Sequence, residues 1–461
     1  MNKKVLTAAL LSTVLMTVAC TPGSTRNFDG KTKNVGYSYL YDLSAIEKTV
    51  PVNNLSTVGA EITVEKDCFL TSLSVFVEKN SENATPITLK IYKWLEDYEA
   101  SVKKKAAFTK TLKDFYSGRV TFQITDGLLG EGSYVYVLSS SKESCAAGHI
   151  CKAGENTAGV SIIKGFESGT KSTKVPKTIA TFSKYTESAG AAKNYTKLTE
   201  GKAHVIVITG QSNASGQSYI SYLEEKIAKS RYQKYAEGFE NILIDYNVDN
   251  ANSSCGFVPV TLSQGAGTDR FGPELGLAEY LDKTYPGEKF YIIKSAWSGS
   301  GLTKHLQDTN SEYQYIKSNI LNSITRLKDL GLDPEVFAVC WMQGETDSWY
   351  YEDTEDYFDR EADLIDRITA FLGDNVAPNG FAFLDAAISD SYAWTLAPVI
   401  NTQKERLALE RCNNYYIDTY TEGLGCYADN NDIAHYDCID MIRLGEMYGD
   451  GIKQVVDNSR L

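Results

Sequence analysis

The sequence predicts an α/β protein, a three-layer sandwich around a parallel sheet, preceded by an antiparallel β-sandwich. Three observations carry this expectation. Up to about residue 180, apolar residues alternate with polar ones at a period of two. From residue 202 onward, short apolar β-branched runs alternate with helical patterns. A polar stretch separates the two rhythms. The chain has 461 residues, enough for two domains. The expected boundaries are 28–185 for the β-sandwich, 186–201 for a linker and 202–461 for the α/β unit.

In the first region the strands are FLTSLSVFVE (Phe69 to Glu78), ITLKIYKWL (Ile87 to Leu95), RVTFQIT (Arg119 to Thr125) and SYVYVLSS (Ser133 to Ser140). Turn-rich stretches such as KNSENATP and DGLLGEG separate them, so each strand is expected to bury one face. The charged stretch from Glu96 to Lys113 reads as a loop or a short helix. Such a sandwich serves either as a sugar-binding module or as a structural spacer, and the sequence does not choose between them.

In the second region the strands are AHVIVIT, NILIDY, KFYIIKSA, EVFAVCWM, GFAFLDAA and NYYIDT. Helical patterns run between them: YLEEKIAKSRYQKY, PELGLAEYLDKTY, YIKSNILNSITRLKDL, YFDREADLIDRITAFL and VINTQKERLALERC. Ligands of such folds bind beyond the carboxyl ends of the strands, so the residues following each strand are the ones to inspect. After the first strand comes Gly210-Gln211-Ser212-Asn213, a turn that sets a serine at the sheet's edge. After the third comes SAWSGSGL with Gly299, after the fourth WMQGETDS with Gln343 and Glu345, and after the last YADNNDIAHYD with Asp432 and His435.

A serine needs a base to become a nucleophile, and the base needs an orienting group. The chain has four histidines. His149 falls in the sandwich, His204 at the amino end of the first strand, and His305 after the SAWSGSGL loop. His435 has Asp432 three residues before it, a spacing that lets the carboxylate reach Nδ1 and leave Nε2 for the serine. The same spacing occurs by chance in many structural loops. Four loops converging on one sheet edge favour the functional reading.

Composition narrows the partners. The net charge is −13 and the pI about 5.0, without a basic run, which argues against nucleic acid. The acidic run around Asp429 and Asp432 lacks EF-hand spacing and reads as a solvated loop, so neither a metal nor a cofactor is expected. MNKK followed by VLTAALLSTVLMTVA-Cys20 resembles a bacterial lipoprotein signal, with Thr17 in place of the usual leucine. The resemblance implies export, a lipidated Cys20 and anchoring at the cell envelope; an ordinary secretory signal reads similarly. Eight further cysteines then meet an oxidising compartment. Cys145 with Cys151, and two among Cys412, Cys426 and Cys438, are the expected pairs, with Cys340 a small core residue.

The blocks GQSNASG (Gly210 to Gly216), FGPELGLAEYL (Phe271 to Leu281), WMQGETD (Trp341 to Asp347) and IAHYDCIDMIRLGEMY (Ile433 to Tyr448) stand in order over about 200–455. They resemble the SGNH hydrolase superfamily, specifically its sialate O-acetylesterase and carbohydrate esterase family six branch. Ala214 replaces that branch's methionine, and Ser298-Gly299-Ser300 its Gly-Gly-Thr. The resemblance implies a flavodoxin-like sheet and a serine esterase that removes O-acetyl groups from carbohydrates through an acyl-enzyme. It implies Ser212 as nucleophile, His435 as general base and acid, and Asp432 as its orienting carboxylate. The Ser212 amide, Gly299 and Gln343 become the oxyanion donors. Gln211, Asn213 and Glu345 become supporting residues, with Glu345 placed behind either Gln343 or Asn213. Three alternatives stay open: a non-catalytic glycan-binding lipoprotein, a structural envelope protein, and an esterase for other short acyl chains.

Overall fold

The computed structural model describes residues 31–458 except 44, 84, 125–128, 155–157, 187–192 and 197. Cys20 and the signal-like segment lie outside the described residues. So do Thr125 in the third quoted strand and residues 187–192 and 197 of the expected linker. Among the described residues no helix is long and apolar enough to cross a membrane.

The N-terminal half forms two antiparallel sheets of seven and six strands. All four quoted strands are present, as Cys68–Lys79, Ile87–Lys93, Gly118–Gln123 and Gly132–Ser139. The charged stretch after Leu95 forms both a short helix, Tyr98–Val102, and an unexpected edge strand, Phe108–Leu112. Among the described residues that strand pairs only with Ile87–Lys93, and it exposes its lysine and threonines, so no apolar alternation marks it.

All six apolar runs of the second half become parallel strands: Ala203–Gly210, Phe239–Val248, Phe290–Ala296, Pro334–Met342, Ala382–Ala386 and Asn414–Ile417. Their order in the sheet is second, third, first, fourth, fifth, sixth. Helices Glu274–Thr284 and Cys438–Asn458 pack together on one face, and Ser311–Asp329, Tyr357–Leu372 and Ala397–Glu410 on the other. The first strand lies between the third and the fourth, where the direction of winding reverses. A crevice at the carboxyl edge opens at such a reversal.

The expected cysteine pairings are overturned, because all eight described cysteines are free thiols. Cys145 immediately precedes the strand Ala146–Lys152, which carries Cys151. Six residues of extended chain span about 20 Å, whereas a disulfide needs Cα atoms within about 7 Å. Cys340 is fully buried in the fourth strand, as expected.

The polar segment joining the halves is not a loose tether where it is described. Lys193 Nζ donates to the carbonyls of Arg411 at 3.2 Å and Asn414 at 2.5 Å, and Tyr415 OH donates to the Asn194 carbonyl. The halves also share apolar packing. Leu396 and Val399, both fully buried, belong to the sandwich's hydrophobic core.

Candidate active site

The first strand ends at Gly210, whose φ is +138° and where a Cβ would stand 2.0 Å from the Met342 carbonyl oxygen. Only glycine lets the chain turn this close to the neighbouring strand. Gln211 N–H then bonds that same carbonyl at 2.9 Å, and Ser212 opens a one-turn helix, Ser212–Ser215. As the first residue of a helical turn, Ser212 has an amide that no preceding helical carbonyl serves. Gly216, with φ +93° and a would-be Cβ 2.6 Å from Gly272, closes the turn against FGPE. Within that block Glu274 accepts from Gly272 N–H and from Lys294 Nζ, both at 2.7 Å, in a fully buried ion pair.

His435 Nδ1 lies 2.7 Å from Asp432 Oδ2. Burial pushes the Asp432 carboxyl up, but hydrogen bonds from His435 and from the Ala434 and His435 amides outweigh it and hold it below the usual carboxylate range. Asn213 connects this loop to the serine. Its Oδ1 accepts from Tyr436 N–H at 3.1 Å and its Nδ2 donates to the Ala434 carbonyl at 3.3 Å, so the side chain next to Ser212 grips both neighbours of His435. Ser218 Oγ adds a 2.7 Å bond to the Tyr436 carbonyl. Among the described residues no direct Ser212–His435 hydrogen bond is formed; the two are joined through Asn213.

Glu345, fully buried, accepts from Asn213 Nδ2 at 2.7 Å and so stands behind Asn213 rather than Gln343. Burial raises its pKa. Gln211 Oε1 accepts from Thr346 N–H and from Gln343 Nε2, each at 3.3 Å. Gln343 is fully buried too. Besides Gln211, its Nε2 bonds the Ser300 carbonyl at 3.1 Å and Asp347 Oδ2, while Tyr357 OH donates to its Oε1 at 2.9 Å.

Gly299 is exposed, with φ +70° and open space where a Cβ would stand. Its loop is anchored at both ends. Trp297 N–H bonds the Gly210 carbonyl at 3.2 Å, and Asp249 accepts from Ser298 N–H at 2.6 Å and Ser298 Oγ at 2.8 Å. Beyond it, Leu302 N–H donates to both oxygens of Asp347, at 3.0 and 3.1 Å.

Sequence reasoning passed over Asp249 and Asp347, although Asp347 lies inside the quoted WMQGETD block. His305 also finds its place here, since its Nδ1 accepts from Gly301 N–H at 3.0 Å. His204 stands at the opposite strand end, with Nε2 3.1 Å from the Thr199 carbonyl. His149 sits beside Glu78 in the sandwich, at 3.3 Å. Asp429 corrects the expectation of a solvated loop: it is buried, accepting from Cys438 N–H at 2.6 Å and from Lys226. Among the described residues no group of three or more His, Cys, Asp or Glu is placed to hold a metal ion.

Burial raises the Asp347 pKa from 3.8 to about 6, against hydrogen bonds from Gln343 and Leu302 that lower it. A carboxyl raised in the folded state stabilises the fold fully below its unfolded pKa, and that contribution is lost as pH rises through 6. About two pKa units correspond to roughly 3 kcal/mol. Relative to wild type, Asp347→Asn is therefore expected to gain stability between pH 5 and pH 7.5. Calorimetric unfolding of both proteins at the two pH values measures this, and a difference independent of pH would refute it.

The family model of a carbohydrate esterase, sialic acid-specific acetylesterase, matches residues 202–454. Similar solved structures include a protein from Arabidopsis thaliana at 16% identity, covering 55% of this chain and 98% of that one with a TM-score of 0.41. NanS is similar at 13% identity, covering 56% and 98%, also with a TM-score of 0.41. A catalytic mutant of an acetylxylan esterase from Geobacillus stearothermophilus is similar at 11% identity, covering 56% and 96%, with a TM-score of 0.32. No curated protein matches the chain.

Proposed function

The chain belongs to the carbohydrate esterase, sialic acid-specific acetylesterase family, and from that membership we propose an exported serine esterase that removes O-acetyl groups from glycans. The observation that carries the site assignment is Asn213, which follows Ser212 and holds both chain neighbours of His435.

Ser212 Oγ attacks the acetyl carbonyl while His435 Nε2 takes its proton. Asp432, ionised and bonded to Nδ1, fixes the tautomer and stabilises the imidazolium. The oxyanion that forms is met by the Ser212 and Gly299 amides. Gln343 joins them by exchanging one partner for the substrate oxygen, and the 3.3 Å bond to Gln211 is the longest it has to give up. The imidazolium then protonates the departing sugar hydroxyl. Water deprotonated by His435 attacks acetyl-Ser212 and releases acetate. The N-terminal segment ending at Cys20 supports placement at the cell envelope, where acetylated polysaccharides are within reach.

Quenching the protein during turnover of p-nitrophenyl acetate is expected to leave an acetyl group on the Ser212 peptide, read by peptide mass mapping. Acetate esters are expected to turn over faster than decanoate esters. A folded protein without turnover from pH 6 to 9, or acetyl label elsewhere, would remove the proposal.

A further inference from the structure

The Nε2 of Gln343 has more acceptors around it than hydrogens to give. It faces the Ser300 carbonyl at 3.1 Å, Gln211 Oε1 at 3.3 Å and Asp347 Oδ2. Of these acceptors only Asp347 can carry a charge, and a charge-assisted hydrogen bond is the stronger kind. Resting on the esterase reading of the site, we infer that Asp347 is a positioning residue for the oxyanion: it holds one N–H of Gln343 and leaves the other to turn to the substrate oxygen.

Asp347 is itself fixed before any substrate arrives. It is 1% exposed, and Leu302 N–H donates to both its oxygens, at 3.0 and 3.1 Å, with the Thr303 amide donating as well. Both oxygens also stand 3.4 Å from where a Cβ on Gly301 would be, so the carboxylate packs against the turn that follows Gly299. A carboxylate tied to backbone amides cannot swing away. The bond it takes from Nε2 therefore fixes the Gln343 amide, not the reverse.

The opposite end of that amide is pinned too. Tyr357 OH, fully buried, donates to Gln343 Oε1 at 2.9 Å. This bond keeps the oxygen end turned from the crevice, while Asp347 sets the direction of the N–H pair. An asparagine at 347 keeps the volume but meets Nε2 with either a neutral oxygen or another N–H donor. The hold on Gln343 is weakened in both cases.

The test compares p-nitrophenyl acetate with its thionoacetate analogue, whose sulfur is a weak hydrogen-bond acceptor. Oxyanion donors speed the oxygen ester more than the sulfur ester, so the ratio of the two kcat/KM values reads those donors. At pH 8, Asp347→Asn is expected to lower kcat for the oxygen ester about ten- to a hundred-fold, to leave KM within about threefold, and to lower the ratio. Gln343→Ala is expected to lose at least as much. Adding Asp347→Asn to it is expected to cost less than about threefold more, because the two act as a unit.

Wild type supplies a second reading that needs no variant to fold. Burial raises the Asp347 pKa to about 6, so the hold on Gln343 is lost as pH falls through that value. The ratio is then expected to drop several-fold between pH 8 and pH 5. The titratable groups that face Asp347 are Tyr357 and Asp353, the latter paired with Lys304 at 3.4 Å. Protonation of His435 slows both esters alike and cancels in the ratio. A ratio unchanged in Asp347→Asn, a loss that multiplies with that of Gln343→Ala, or a wild-type ratio independent of pH would overturn the inference. Absence of turnover of p-nitrophenyl acetate by wild type would instead overturn the esterase reading, and this inference with it.

Discussion

Replacing His435 by alanine is expected to lower kcat for acetyl-ester hydrolysis by about 10⁴- to 10⁶-fold, and replacing Ser212 as well to cost little more. The near-absence of a second loss is the informative part. Without the imidazole, Ser212 keeps its proton and is a poor nucleophile; without the serine, the imidazole has nothing to activate. Each single loss therefore disables the same step, and the pair is expected to be strongly non-additive. The residual rate belongs to the oxyanion donors and substrate binding, which both variants keep. Steady-state kinetics on the two single variants and the double variant decide the matter. Losses that multiply would mean that Ser212 and His435 act in separate steps. A His435→Ala variant within tenfold of wild type would make another group the base.

How much of this was legible in the sequence depended on whether a feature is periodic or spatial. The six parallel strands were legible because a strand buried on both faces must be continuously apolar. Ser212, Asp432 and His435 were legible as candidates because the residues after such strands face the crevice. The split of YLEEKIAKSRYQKY into Ile220–Lys226 and Lys229–Glu237 carried no glycine or proline to announce it. Burial of charge was equally invisible. Nothing in the local sequence marks Lys294, Glu274 and Asp347 as buried, yet none of the three is exposed by more than 1%. The clamp of Asn213 on residues 434 and 436 spans more than 220 positions and leaves no local signal.

Arg119 belongs to the same invisible class, and it joins the sandwich to the α/β unit. Its side chain has no exposure and reaches out of the N-terminal half to Asp390 Oδ1 at 2.6 Å and to the carbonyls of Ser391 at 3.2 Å and Trp394 at 3.3 Å. Ser391 Oγ bonds the Ile433 carbonyl, two residues before His435. Around this link, Tyr116 of the sandwich stacks on Tyr392 at 4.6 Å and meets Tyr427 at 4.8 Å. Arg119→Ala is expected to destabilise the protein by about 3 kcal/mol, because it removes the buried guanidinium's hydrogen bonds to Asp390, Ser391 and Trp394 and leaves a cavity.

Removing the whole sandwich is expected to do more. A chain of residues 193–461 would expose Leu396 and Val399, at about 1.5–3 kcal/mol each, and would lose the Arg119 contacts and the Lys33–Glu405 ion pair at 2.5 Å. The total approaches the 5–15 kcal/mol that holds a typical domain folded. The expected result is a truncated chain without a cooperative unfolding transition and without esterase activity, measured by calorimetry and acetate release. A soluble truncated chain with wild-type kcat would instead make the sandwich an independent appendage. The contacts at Arg119 point the other way: they tie the sandwich to Asp390 and Ser391, and Ser391 in turn bonds the Ile433 carbonyl beside the His435 loop.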